Sequence, residues 1–263
     1  MFDASETLRV TAPEPIVLKD VILGGEKPLI CVPIVGDTVK QMIQNVKEAV
    51  GQEADILEIR IDCLDKRDKQ TLDDLISKIR ELSDIPIIFT NRPKEEGGFK
   101  PQKEEERIQT FIDAATIGGI DIMDIELSTQ PKMRDLVVTL AKRRGVYVII
   151  SYHNFEFTPN KETLLDIVRE EKKAGADIVK FMTKPKTHLD VITQLQALFE
   201  ARTNVVRCPI ISSAIGTLGS YSRIVSLFLG SDLTFASLPG RQSAPGQLTV
   251  QEVKAMLKIF NLR

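Results

Sequence analysis

Short apolar runs rich in β-branched residues recur along the chain. Each is followed by a longer stretch whose apolar residues return at helical spacing. The runs lie at 29–35 (LICVPIV), 55–62 (DILEIRID), 86–92 (PIIFTNR), 121–127 (DIMDIEL), 146–153 (VYVIISYH), 177–182 (DIVKFM), 208–214 (CPIISSA) and 233–238 (LTFASL). Between them, 71–82, 104–117, 131–144, 163–174 and 189–201 read as amphipathic helices; in the first, Leu72, Leu75, Ile76 and Ile79 share one face. Asp37, Ser220 and Thr249 are expected to cap helix starts, and Pro131 suits a first helical turn. Gly145 and Gly175 stand just past helix ends, where φ is often positive.

Strands alternating with helices imply parallel pairing through right-handed crossovers. Eight such units within 263 residues fit an α/β fold of the closed (β/α)8 TIM-barrel kind, which typically takes about 250 residues. An open doubly wound sheet is the competitor, but no G-x-G-x-x-G or P-loop follows an early strand. Residues 1–27 fall outside the repeat. There TLRVTAPEPIVLKDVILGGEKP predicts two short strands joined by a Pro-containing turn, an N-terminal β-hairpin closing the bottom of the barrel. No stretch reads as a linker, so 1–263 is expected to be a single domain.

Side chains of a barrel strand alternate between the interior and the helix layer. In 55–62, Leu57, Ile59 and Ile61 suit the helix layer, which leaves Ile56, Glu58, Arg60 and Asp62 pointing inward. Charged groups are rarely buried without partners, so such a row belongs at the C-terminal mouth, where barrel active sites lie. Parity brings Thr90 and Arg92, Asp124 and Glu126, Ser151 and His153, and Lys180 to the same end. A purely structural salt-bridge network is the alternative.

Lys180 stands among apolar residues in DIVKF. A lysine in a poorly solvated pocket near Arg60 and Arg92 is pushed toward its free amine, which attacks ketones to give an imine. Pairing with Asp124 or Glu126 is the other reading. His153, on the neighbouring strand, suits proton exchange near pH 7. His188 follows PKPKT and reads as a solvated surface residue. One of the two carboxylates in RPKEEGGF, Glu95 or Glu96, is placed to orient His153. Arg223 opens the helix after the seventh strand and suits capture of a substrate carboxylate, or else a surface salt bridge. Ser243 and Gln247, in SAPGQL after the eighth strand, offer a hydroxyl and an amide that suit a polyol.

Charge narrows the partners. A formal net charge of −2 and no basic run leave no footprint for nucleic acid. No apolar run approaches the roughly 20 residues that span a bilayer. The start MFDASETLRVTAPEP lacks a secretory pattern, so a cytoplasmic location is expected. Cys31, Cys63 and Cys208 are widely spaced, and with two histidines in the chain they are expected to be buried free thiols rather than metal ligands.

Together the segments ILEIRID, FTNRPKEEGG, MDIEL, ISYHNF, GADIVK, GSYSRI, FLGSDLTFASL and SAPGQ resemble type I 3-dehydroquinate dehydratase, in that family's order. The resemblance implies a hydro-lyase of the shikimate pathway and aromatic amino acid biosynthesis, converting 3-dehydroquinate to 3-dehydroshikimate. It implies Lys180 as the Schiff-base lysine, His153 as general acid/base and Glu96 as its helper. Glu58, Arg60 and Arg92 would grip the substrate's hydroxyls and ring, Arg223 its carboxylate, and Ser243 with Gln247 would close a loop over it. It also implies no metal, no organic cofactor and a homodimer. The chain departs from the family where Ser213 and Ile215 stand in place of methionines. Two other functions remain open: a class I aldolase-type barrel using a Schiff base, and a barrel that binds a small acid without turnover.

Overall fold

The computed structural model describes residues 8–262. The chain enters through an antiparallel pair, β1 (Ile16–Leu18) and β2 (Val21–Leu23), with Ile16 opposite Leu23. Lys19 and Asp20 form the turn, with Lys19 at φ 53°. Pro13 and Pro15, expected in the turn, precede the first strand instead. A proline's φ is locked near −65°, whereas the first residue of this two-residue turn, Lys19, sits at φ 53°. The first seven residues of the expected extension lie outside the described ones.

Eight parallel strands follow: β3 (Leu29–Ile34), β4 (Ile56–Arg60), β5 (Ile87–Thr90), β6 (Ile122–Glu126), β7 (Tyr147–Asn154), β8 (Ile178–Thr183), β9 (Ile210–Ala214) and β10 (Leu233–Phe235). They hydrogen-bond in the order β10-β3-β4-β5-β6-β7-β8-β9. Helices α1 (Val39–Gly51), α2 (Lys69–Leu82), α3 (Glu104–Ile117), α4 (Pro131–Arg143), α5 (Lys161–Lys173), α6 (His188–Glu200), α7 (Ser222–Phe228) and α8 (Val250–Ile259) alternate with them. The result is a nearly closed (β/α)8 barrel.

Helix starts are set by local chemistry. Thr38 and Gln41 form a capping box on α1, Asn160 caps α5, and Thr249 with Glu252 caps α8. Asp37 and Ser220 do not cap. Thr38 takes the α1 position one residue later, and α7 begins behind Tyr221 with no side-chain cap.

Two apolar layers sandwich the strands. Leu57, Ile59, Phe89, Met123, Ile150, Val179 and Phe181 face the helices. Inside the barrel, Ile56, Ile88, Ile122, Ile149, Ile178, Ile211 and Leu233 form a floor on which Ile16, Leu18 and Leu23 of the hairpin are packed. The hairpin therefore closes the bottom. Two residues further along β4 to β8 the same inward face turns polar, since the side-chain period is two.

Closure between β9 and β10 rests on one bridge, Ile210 to Ser231, reinforced by a side chain. Asp232 is fully buried. It accepts the Ile210 N–H at 2.8 Å, Arg9 at 2.9 Å and also Arg202. Removing one partner of such a buried pair costs about 3–5 kcal/mol. Asp232→Ala should lose that much in urea unfolding, and a loss under about 1 kcal/mol would contradict the closure role.

Candidate active site

The polar layer above the isoleucine floor is built from Glu58, Thr90, Asp124, Ser151 and Lys180, one from each of β4 to β8. All are buried. Lys180 Nζ lies 2.7 Å from Asp124 Oδ2 and 3.7 Å from Glu58 Oε1, with its charge 4.5 Å from the centroid of the Phe235 ring. Asp124 Oδ2 also meets Arg92 Nη2 at 2.7 Å, and its other oxygen accepts the Ser151 hydroxyl at 2.6 Å. Burial alone would raise the Asp124 carboxyl, but Arg92 and Lys180 hold it well below the usual carboxylate range. The charges nearest Lys180 are thus carboxylates, not the guanidinia of Arg60 and Arg92 expected from parity. Arg92 is diverted to Asp124 and Glu126, and Arg60 forks onto Asp62 at 2.9 and 2.7 Å.

His153 is the penultimate residue of β7, on the rim. Its Nδ1 lies 3.2 Å from Glu96 Oε2, and its backbone N–H donates to the same oxygen at 3.1 Å. The Ser128 hydroxyl donates to Glu96 Oε1. Between the two glutamates the structure places Glu96 inward, whereas Glu95 is exposed. The turn that does this needs Gly97, at φ 84°, where a Cβ would stand 2.3 Å from the Phe155 ring. Burial and then Arg92 push the His153 imidazole well below 6.5, so it is neutral at pH 7. Burial and then Glu126 push the Glu96 carboxyl up to about 7.

Arg223 is buried, and no ion pair to it is found among the described residues. The surface salt bridge that was its alternative does not form. Its Nε donates to the Gly246 carbonyl at 3.0 Å, and burial lowers its guanidinium to about 10. The loop over it is pinned by Gln247, whose Nε2 donates to Ser243 Oγ at 2.9 Å and whose Oε1 accepts the Ser243 N–H at 2.9 Å. Gly246 is required there, since a Cβ would meet the Gly216 carbonyl oxygen at 2.3 Å.

One cavity unites these groups. Lys180, His153, Glu96, Glu58, Arg60, Arg92, Arg223, Ser243 and Gln247 all line it. Phe155, Met182 and Phe235 line it too and were not singled out. Phe155 sits in the SYHNF motif, and the inward parity of Leu233 and Phe235 was available in LTF. Of the two departures, Ile215 faces the cavity, while the Ser213 hydroxyl lies 3.8 Å from the Met182 sulfur. Cys31, Cys63 and Cys208 are buried and free, and His188 is exposed.

A family model described as type I 3-dehydroquinase matches residues 30–263. The 3-dehydroquinate dehydratase of Geobacillus thermodenitrificans is 37% identical over 248 residues, 93% of this chain and 95% of that protein. Among solved structures, the 3-dehydroquinate dehydratase of Geobacillus kaustophilus superimposes with a TM-score of 0.91 at 33% identity, covering 95% and 97% of the two chains. The type I enzyme of Clostridium difficile with covalently modified comenic acid gives 0.89 at 30% identity, covering 94% and 97%.

The site's electrostatics carry a pH signature. A carboxyl raised from 4.5 to about 7 on folding binds an extra proton in the native state between those values. Its contribution to stability is therefore present below the lower value and lost as pH rises through the upper one. Relative to Glu96→Gln, wild-type protein should lose up to about 3 kcal/mol across that window. Urea unfolding at several pH values checks this, and parallel profiles for the two proteins would contradict it.

Proposed function

Since the chain belongs to the type I 3-dehydroquinase family, hydro-lyases of the shikimate pathway, we propose that it dehydrates 3-dehydroquinate to 3-dehydroshikimate through a Schiff base on Lys180. The observation that carries this reading is the lysine itself. Lys180 ends on an apolar floor, faces a cavity, and has Asp124 at 2.7 Å and the neutral His153 on the next strand.

The substrate is a cyclic ketone bearing hydroxyls and a carboxylate. Arg223, without a carboxylate of its own, is the seat for the substrate's carboxylate. Glu58, Arg60 and Arg92 face the ring, and the Ser243–Gln247 loop covers it. Lys180 gives up a proton and adds to the ketone; that proton, with one from the attacking nitrogen, goes to the former carbonyl oxygen, which leaves as water. Asp124 and Glu58 favour the protonated imine, which draws electrons from the adjacent C–H bond. His153 takes that proton and an enamine forms. Its electrons return through the ring to expel the hydroxyl on the next carbon, and His153 hands the proton to the leaving oxygen. Glu96, against Nδ1, steadies the imidazolium between the two transfers. Water then releases Lys180 and the enone, so the net change is loss of one water.

The Clostridium difficile relative, with its covalently modified comenic acid, supports covalent chemistry at such a site. By the same family resemblance the chain is proposed to act as a homodimer in the cytoplasm. Among the described residues no helix is long and apolar enough to cross a membrane.

Product formation is read from the absorbance of the conjugated enone. Lys180→Ala should abolish it, and near-full turnover would overturn the scheme. His153→Ala should lower kcat by about 10²–10⁴-fold while an imine still accumulates; full activity would remove the histidine from the mechanism. Arg223→Ala should raise KM by about ten- to a hundredfold, the worth of a charge-assisted hydrogen bond, and an unchanged KM would mean that the carboxylate binds elsewhere.

A further inference from the structure

Behind Lys180, on the side of β8 that faces the helices, a carboxyl group occupies a place where the pattern calls for hydrocarbon. The buried face of α5 is Leu164, Leu165, Val168 and Glu171, and Glu171 is completely buried. Its Oε2 accepts the backbone N–H of Lys180 at 3.1 Å. Its other oxygen has no partner. Burial pushes this carboxyl well above the usual range. Leucine here would fill the layer and remove the unsatisfied oxygen but would leave the buried Lys180 N–H without this acceptor, so what the carboxyl supplies at this position is the bond to Lys180.

The contrast with Gln194 on α6 is informative. Gln194 braces the opposite flank of β8, donating to the Ser213 carbonyl at 2.9 Å and accepting the Thr183 hydroxyl at 2.6 Å. Both ends of that side chain are satisfied. For Glu171 the one side-chain contact found is to the main chain of Lys180. A lysine carries its nitrogen at the end of a flexible four-carbon stem, so a tilt of the backbone at Lys180 displaces Nζ from Asp124.

We infer that Glu171 is a positioning residue for the Lys180 nucleophile: by taking that residue's own N–H, it holds β8 so that Nζ meets both Asp124 and the incoming ketone. This rests on the reading of Lys180 as the imine-forming residue. A displacement of about 1 Å at a reacting group can cost on the order of 10²-fold in rate.

The test compares Glu171→Gln, Glu171→Leu and Glu171→Asp with wild-type protein, measuring kcat, KM, thermal stability and borohydride labelling of Lys180 with 3-dehydroquinate. The amide oxygen of glutamine accepts the same N–H, so E171Q should keep kcat within about threefold. E171L should fold, bind substrate with KM within about threefold of wild type, and lose kcat and the rate of labelling by about ten- to a hundredfold. Wild-type kcat in folded E171L overturns the inference. So does an equal loss in E171Q, which would assign the effect to charge rather than to the bond. If E171L does not fold, E171D decides, because its carboxylate is withdrawn by one methylene; wild-type kcat there overturns the inference too. Failure of the wild-type protein to label at Lys180 is a separate outcome, which removes the underlying imine reading and this inference with it.

Discussion

Asp124 is held between two cations, and the architecture of the site follows from that arrangement. Its Oδ2 meets both Arg92 and Lys180 at 2.7 Å. A lone carboxylate at zero exposure would be driven to its neutral form. Here Arg92 and Lys180 hold it ionised. The order extends outward through Glu126 to Arg107 on α3, which is itself fixed to Glu104 and Thr129. Beneath it the isoleucine floor and the hairpin keep water from entering through the bottom of the barrel.

The same arrangement reconciles two readings that looked exclusive. Pairing of Lys180 with Asp124 was the structural alternative to a reactive amine. A contact that stabilises the ammonium also stabilises the protonated imine, whose positive charge sits on the same nitrogen. The pairing with Asp124 is therefore compatible with the imine chemistry proposed for Lys180. His153 has the opposite disposition: burial and the nearby Arg92 keep it neutral, and its Nδ1 lies 3.2 Å from Glu96 Oε2.

The barrel was legible because each strand obeys a period of two and each helix a period near 3.6. The alternation in DILEIRID separated Leu57 and Ile59 from Glu58 and Arg60 correctly, and the nine residues given catalytic or substrate-binding roles line one cavity. What stayed hidden depends on contacts between distant segments. Arg107 looks like an ordinary helical arginine until Glu126 is folded against it. Nothing in the sequence around Glu171 and Asp232 marks them, yet one reaches the Lys180 backbone and the other closes the barrel. The hairpin turn was misplaced because prolines mark chain direction changes in general, and here they lead into the strand rather than link the pair. Of the readings left open for Lys180, its pairing with Asp124 is the one that forms, and Arg92 meets both Asp124 and Glu126; parity says which side chains point inward, but not how they pair.

The measurement that bears most directly on this account is peptide mapping after borohydride reduction in the presence of 3-dehydroquinate. The account predicts a single reduced adduct, carried by the peptide that contains Lys180. Folded protein that gives no adduct, or an adduct on a different lysine, would contradict it.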